Sequence, residues 1–240
     1  MPSITTPGIV LRHANYRDND RMLTLLTPDH GRVDVLSRGC RRPRSPLMSA
    51  SELFCTGEYL LFAQRDRATL TSCTIHDSFY PLRLDIDRLS YGVYLLNLCE
   101  AACQPEQPCP ELFWLLIRSL SRLCYDEPRY HGLTSAFLLH YAVQLGYKPR
   151  LMHCVHCGRR LEPDEPVWWN PKAGGFACSD CRPEGTRPLP DGQPQWLRAA
   201  LTGGPDAYLT LDDHNAPFAL LKAYVESLLD RPIKSGALLV

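Results

Sequence analysis

Met22-Leu23-Thr24-Leu25-Leu26-Thr27-Pro28-Asp29-His30-Gly31-Arg32-Val33-Asp34-Val35-Leu36 is the stretch on which the fold turns. Two short apolar segments, Met22 to Leu26 and Val33 to Leu36, flank a turn in which Pro28 presets φ and Gly31 accepts a positive one. This is the pattern of a β-hairpin. Outward from it, Ile9 to Leu11, Tyr59 to Phe62 and Leu70 to Ile75 have the same short alternating character. Five strands in about 80 residues, with no helical period between them, fit a small closed or nearly closed barrel of the OB type. An SH3-like barrel fits the same pattern.

After Pro81 the apolar period becomes helical. Leu89, Val93, Leu96 and Cys103 share a face, with Asp85 or Asp87 placed to cap the start. Pro110 opens a second helix carrying Leu112, Leu116, Leu120 and Leu123, and a third runs from about Tyr130 to Leu145. Gly146 and Pro149 end it. Helical patterns resume at Trp196 to Leu201 and at Pro217 to Leu229, after a proline-rich connector from Pro183 to Pro194. The expected class is α+β and multidomain. Residues 1–80 form an OB-fold-like barrel, 81–150 with 188–240 a helical domain, and 151–187 an inserted four-cysteine zinc ribbon.

The insert rests on Cys154-Val155-His156-Cys157 and Cys178-Ser179-Asp180-Cys181, two C-x-x-C knuckles whose spacing is that of a four-cysteine zinc site. Two residues between cysteines let both thiolates face one ion, and Gly158 can take the positive φ the chain needs as it leaves the first knuckle. Four thiolates complete a tetrahedron with no position open to water, so the expected role of Cys154, Cys157, Cys178 and Cys181 is structural. His153 and His156 are alternative ligands, and a rubredoxin-like iron or a redox pairing is an alternative use of the thiols. The other seven of the 11 cysteines, such as Cys99, Cys103 and Cys124, lie in apolar or helical contexts and read as reduced, mostly buried small residues.

Lys+Arg and Asp+Glu both number 26, so any nucleic-acid site must be local rather than a matter of bulk charge. The local candidate is Ser37-Arg38-Gly39-Cys40-Arg41-Arg42-Pro43-Arg44-Ser45, in which Arg38, Arg41, Arg42 and Arg44 offer guanidinium forks to phosphate oxygens. A solvated loop without a ligand is the alternative. Tyr16, Phe54, Tyr59 and Phe62 are candidates for base stacking or for core and rim positions. Arg150, Arg159, Arg160 and Lys172 mark a competing path. Apolar residues at 45% and charged residues at 22% are ordinary for a globular chain. Met1 to Val10 lack a basic start followed by an apolar run, and no apolar stretch approaches the roughly 18 residues of a span, so a cytoplasmic protein is expected. P-loop, nucleophile-elbow and H-E-x-x-H motifs are absent, and an enzyme is not expected.

Several segments together resemble the RecO family of bacterial recombination mediators. They are Gly8 to Leu11, Tyr16-Arg17-Asp18-Asn19-Asp20-Arg21, Arg38-Gly39-Cys40-Arg41-Arg42, Glu111 to Leu116, Leu145-Gly146-Tyr147-Lys148-Pro149 and Arg231-Pro232-Ile233-Lys234-Ser235. The chain departs from the family's pattern at Glu52-Leu53, where a proline is common, and its basic loop is poorer in Lys. The resemblance implies an OB-fold, a helical domain and a zinc-binding segment. It further implies binding of single- and double-stranded DNA, strand annealing and, with RecR, loading of RecA onto strands covered by single-strand binding protein, whose C-terminal tail is an expected partner; association with the nucleoid follows. A zinc-containing adaptor that binds proteins without DNA is the alternative.

Overall fold

The computed structural model describes residues 3–64 and 67–239. By contact the chain divides into two compact units, Met1–Asp126 with Ile233–Val240, and Glu127–Pro232. The first unit groups the two helices after residue 81 with the barrel.

In the first unit, β1 (Ser3–Tyr16), β2 (Asp20–Thr27), β3 (Gly31–Ser37), β4 (Thr56–Gln64) and β5 (Arg67–Asp77) form a closed barrel in the order β1-β2-β3-β5-β4. Each expected strand is present and longer than its apolar segment. The long β1 serves two neighbours: Ser3–Ile9 pairs with β4, and Ile9–Tyr16 pairs with β2. A bulge between Val10 and Arg12 lets the strand turn from one partner to the other. The parallel pairing of Val35 and Leu36 with Ala68 and Thr69 closes the ring. That crossover makes a Greek-key barrel and settles the choice in favour of the OB-like form. Val10, Leu23, Leu25, Val35, Tyr59, Leu61 and Leu70 fill the interior.

The β2–β3 turn forms as its residues dictate. Thr27 Oγ1 accepts from the His30 amide at 3.2 Å and donates to the Gly31 carbonyl at 3.1 Å, and Gly31 takes φ +62°. α1 (Ile86–Ala102) begins at Asp85, whose carboxylate accepts the amides of Asp87 and Arg88 at 2.9 and 3.0 Å. α2 (Pro110–Tyr125) starts on its proline. Arg88 donates to the Leu123 and Cys124 carbonyls at 2.7 and 2.8 Å, closing the end of α2 from the start of α1.

The second unit holds α3 (Tyr130–Gln144), a two-stranded ribbon of β6 (Trp168–Asn170) and β7 (Gly175–Ala177), α4 (Gln193–Gly203) and α5 (Phe218–Leu228). Its core is built on α3, which buries Leu133, Phe137, Leu138 and Tyr141. Gly146 ends the helix at φ +86°. Among the described residues no helix is long and apolar enough to cross a membrane.

Candidate metal centre and basic loop

Cys154 and Cys157 sit on a tight turn closed by the Gly158 amide donating to the Cys154 carbonyl at 3.0 Å, with Gly158 at φ +74°. Cys178 and Cys181 bracket a short 3-10 turn in which the Cys181 amide donates to the Cys178 carbonyl at 3.1 Å. The two knuckles are aligned by backbone: Val155 N–H donates to Phe176 O at 2.8 Å, and Phe176 N–H to Arg150 O at 2.9 Å. The first knuckle thus lies along β7, and the second follows it directly.

All four Sγ atoms lie within 4.8 Å of one another. Cys157 Sγ and Cys178 Sγ are 3.8 Å apart, the edge of a tetrahedron about an ion with bonds of roughly 2.3 Å. Burial pushes the Cys154 thiol up, but the amides of Cys157, Cys178 and His156 at its sulfur bring it down to about 6. Cys178 is likewise lowered by the amides of Cys181 and Asp180 against its burial. Burial and the neighbouring sulfurs raise Cys181 to about 12. Crowded sulfurs, two of them lowered toward the thiolate while burial and its neighbours keep a third protonated, form a donor set suited to a divalent cation. The geometry is that of a possible metal site.

The expected quartet is therefore assembled, and the histidine alternatives are not. His156 Nε2 is paired with Asn170 Nδ2 at 2.8 Å, and His153 is exposed on a bridge to Arg160. The ribbon is tied to its own unit by Trp169, which packs edge-on against Phe176 and Tyr224 at 6.2 and 5.1 Å. Arg198 on α4 helps, donating to the carbonyls of Leu151, Glu162 and Pro163 while its guanidinium covers the Phe176 ring at 5.5 Å. Spacing alone gave no sign of Arg198 or Tyr224. The competing basic residues Arg150, Arg159, Arg160 and Lys172 are all exposed, Arg159 paired with Glu165 at 3.0 Å and Arg150 donating to the Val155 carbonyl at 3.2 Å.

In the first unit, the chain leaves β3 into a run of tight turns. Arg42 N–H donates to Gly39 O, Ser45 N–H to Arg42 O and Met48 N–H to Ser45 O, at 3.1 to 3.2 Å. Arg38, Arg41, Arg42 and Arg44 are all exposed on it. Gly39 at φ +64° donates to Asp20 Oδ1 at 2.8 Å, and Arg41 N–H donates to Asn19 O at 3.0 Å, so the loop is fastened to the β1–β2 turn. That contact adds what the local sequence hid. Arg17, at φ +53° with its guanidinium 5.2 Å from the Tyr16 ring centre, joins the cluster, and Asp18 and Asp20 partly offset it. Of the four aromatic candidates, Phe54 and Tyr59 are buried and belong to the core. Phe62 is exposed and Tyr16 partly so.

Residues 1–79 match the family model for the N-terminal part of recombination protein O, and residues 83–237 match the model for its C-terminal part. Among curated relatives, DNA repair protein RecO of Moorella thermoacetica is 35% identical over 175 residues, 73% of this chain and 65% of that protein. The chain thus matches just under two thirds of that relative's length. DNA repair protein RecO of Rubrobacter xylanophilus is 35% identical over 188 residues, 77% of this chain and 75% of its own, and that of Alkaliphilus metalliredigens is 34% identical over 179 residues, 74% and 72%. With an OB-like barrel under the first model and the helices and cysteine quartet under the second, the chain belongs to the RecO family.

Proposed function

We propose that the protein acts in DNA repair as a recombination mediator that binds DNA and performs no catalysis. In this reading it holds single and double strands, anneals complementary strands and, with RecR, promotes RecA loading onto strands covered by single-strand binding protein, whose tail it receives. It works in the cytoplasm, on the nucleoid when engaged. Cys154, Cys157, Cys178 and Cys181 hold one zinc ion, which supplies folding energy to the ribbon.

The observation that carries this reading is the arginine loop. It is fixed by its Gly39 and Arg41 amides to the β1–β2 turn, at the end of a barrel type that binds single strands, and its four arginines are exposed, Arg41 also lending one N–H to the Asp18 carbonyl at 3.2 Å. Each phosphate contact to a single strand contributes about −0.7 to the log–log salt slope, so Arg38, Arg41, Arg42 and Arg44 together contribute roughly −3. Fluorescence anisotropy against single-stranded DNA over a salt series tests it. The fourfold alanine variant should bind weakly at low salt with a flatter slope, and its annealing should fall in parallel. An unchanged slope would move the DNA path to Arg150, Arg160 and Lys172.

The adaptor reading has one observation of its own, a cavity of about 250 Å³ lined by Phe79, Phe113, Trp114 and Ile117 with Glu58 at its edge. Under that reading the wild-type protein shows no salt-dependent DNA affinity.

A further inference from the structure

Two cysteines that no part of the reading above uses lie together in the first unit. Cys103 ends α1 and Cys109 begins α2, and the Cys103 thiol donates to Cys109 Sγ at 3.7 Å. The six-residue separation does not by itself bring them together. Their approach follows from the segment between them, which is held to the β2–β3 turn along its length. The Arg32 amide donates to Gln104 O at 3.2 Å, the Glu106 amide to His30 O at 3.0 Å and the Cys109 amide to Pro28 O at 2.9 Å. Both helix ends are thereby drawn to one place.

We propose that Cys103 and Cys109 form a modification site, a dithiol that hydrogen peroxide converts to a disulfide. Cys109 is the attacking sulfur. It is partly exposed whereas Cys103 is buried, so peroxide meets it first. It occupies the N-cap of a sixteen-residue helix, where the positive end of the backbone dipole favours a thiolate. The hydrogen bond from Cys103 lowers the Cys109 thiol against its burial and the charge of Glu111, and on ionising Cys109 gives up the proton it donates to the Thr27 carbonyl at 3.6 Å. Cys103 is pushed up by the same hydrogen bond and by burial, so it keeps its proton and waits as the resolving thiol.

The chemistry balances with peroxide as the only added reagent. The Cys109 thiolate attacks one peroxide oxygen, the O–O bond breaks, and the departing hydroxide takes up the proton that Cys109 had released, leaving a sulfenic acid and one water. The Cys103 sulfur then attacks the Cys109 sulfur. An S–S bond forms, the S–O bond breaks, and the hydroxyl leaves with the Cys103 proton as a second water. Two thiols are oxidised and one peroxide is reduced. The sulfurs close from 3.7 Å to about 2.05 Å, and the product is a covalent ring over the backbone that holds the β2–β3 turn.

Peptide mapping of the folded, metal-loaded protein after a brief exposure to peroxide tests this directly. A protease specific for glutamate cuts after Glu100, Glu106 and Glu111, placing Cys103 in residues 101–106, Cys109 in 107–111 and Cys99 in an earlier fragment. The metal-site cysteines fall in other fragments, so their oxidation does not obscure the result. The expected product is 101–106 joined to 107–111, two hydrogens lighter than the sum of the free peptides and separated by reduction. It should form also in Cys99→Ala and be absent in Cys109→Ser. Three results overturn the proposal: both cysteines remaining open to alkylation, Cys109 ending as sulfinic acid with Cys103 untouched, or Cys99 supplying the bridge.

Discussion

Gly31 shows how one residue can serve two parts of a fold. Its φ of +62° closes the β2–β3 turn, and a Cβ there would run into the backbone carbonyls of Gln104 and Gln107. Gly31→Ala should therefore cost about 1–3 kcal/mol, adding left-handed strain to a steric clash with the α1–α2 segment. Chemical denaturation measures it, and a loss under about 0.5 kcal/mol, the level of an ordinary surface change, would show that the segment yields freely. His140 carries a dependence on pH. Burial lowers its folded pKa below the ordinary 6.5, while its Nε2 lies 3.1 Å from the Ala200 carbonyl. Below pH 6.5 the unfolded chain then binds the proton more readily than the folded one, so this contribution is full above that pH and is lost as the pH falls toward the folded value. His140→Gln keeps a donor without the titration. Its melting temperature should fall less than that of wild type between pH 7.5 and 5.5, and parallel falls would remove His140 from the account.

At the scale of elements, the strands and helices were legible because each has a clean apolar period, and the cysteine quartet because C-x-x-C spacing encodes geometry. What the sequence hid was approach between distant turns. Nothing in Arg17-Asp18-Asn19-Asp20 says that it will fasten the loop carrying Arg38 to Arg44, and nothing in Gln104 to Cys109 says that it will grip the turn after Pro28. Tyr59 was ambiguous because an aromatic in a barrel strand faces inward or outward according to register, here set by its pairing with Thr6 of β1 and Cys73 of β5, and Phe54 because it lies in the turn before β4, where no period applies. The barrel nonetheless has its own closed core, and we propose that residues 1–80 fold alone. Circular dichroism should show β structure in that fragment, with a lower melting temperature than in 1–126, because it loses the segment on the β2–β3 turn and the 3.0 Å pair of Arg12 with Glu100. Limited proteolysis of the whole chain should find a border near 81. An unstructured 1–80 would make the barrel depend on α1 and α2.

The whole molecule has no net charge, so its interactions are set by where charge is concentrated and by which unit carries it. The arginine loop belongs to the first unit and the cysteine quartet to the second. Removing the metal should therefore separate the two functions assigned to them. The ribbon has strands of only three residues, too little to stand without an ion. Yet Trp169 rests on Tyr224 of α5, and Arg198 of α4 grips the carbonyls of Leu151, Glu162 and Pro163, so the helices of that unit should hold part of its fold after the knuckles open. Three of the four tryptophans, Trp168, Trp169 and Trp196, lie in this unit and report on it, while Trp114 lies in the other. Chelation, or Cys154→Ser, should release one zinc per chain, shift tryptophan emission to the red and lower the calorimetric transition of the second unit. The transition of the barrel unit should stay in place. Affinity for single-stranded DNA and its salt slope should be nearly retained, since the loop that carries Arg38, Arg41, Arg42 and Arg44 is fastened through Gly39 and Arg41 to Asp20 and Asn19 within the first unit. Metal analysis finding no zinc in protein prepared without chelator would end the structural role. A collapse of DNA affinity on zinc release, with the barrel transition unmoved, would place the strand on Arg150, Arg160 and Lys172 instead.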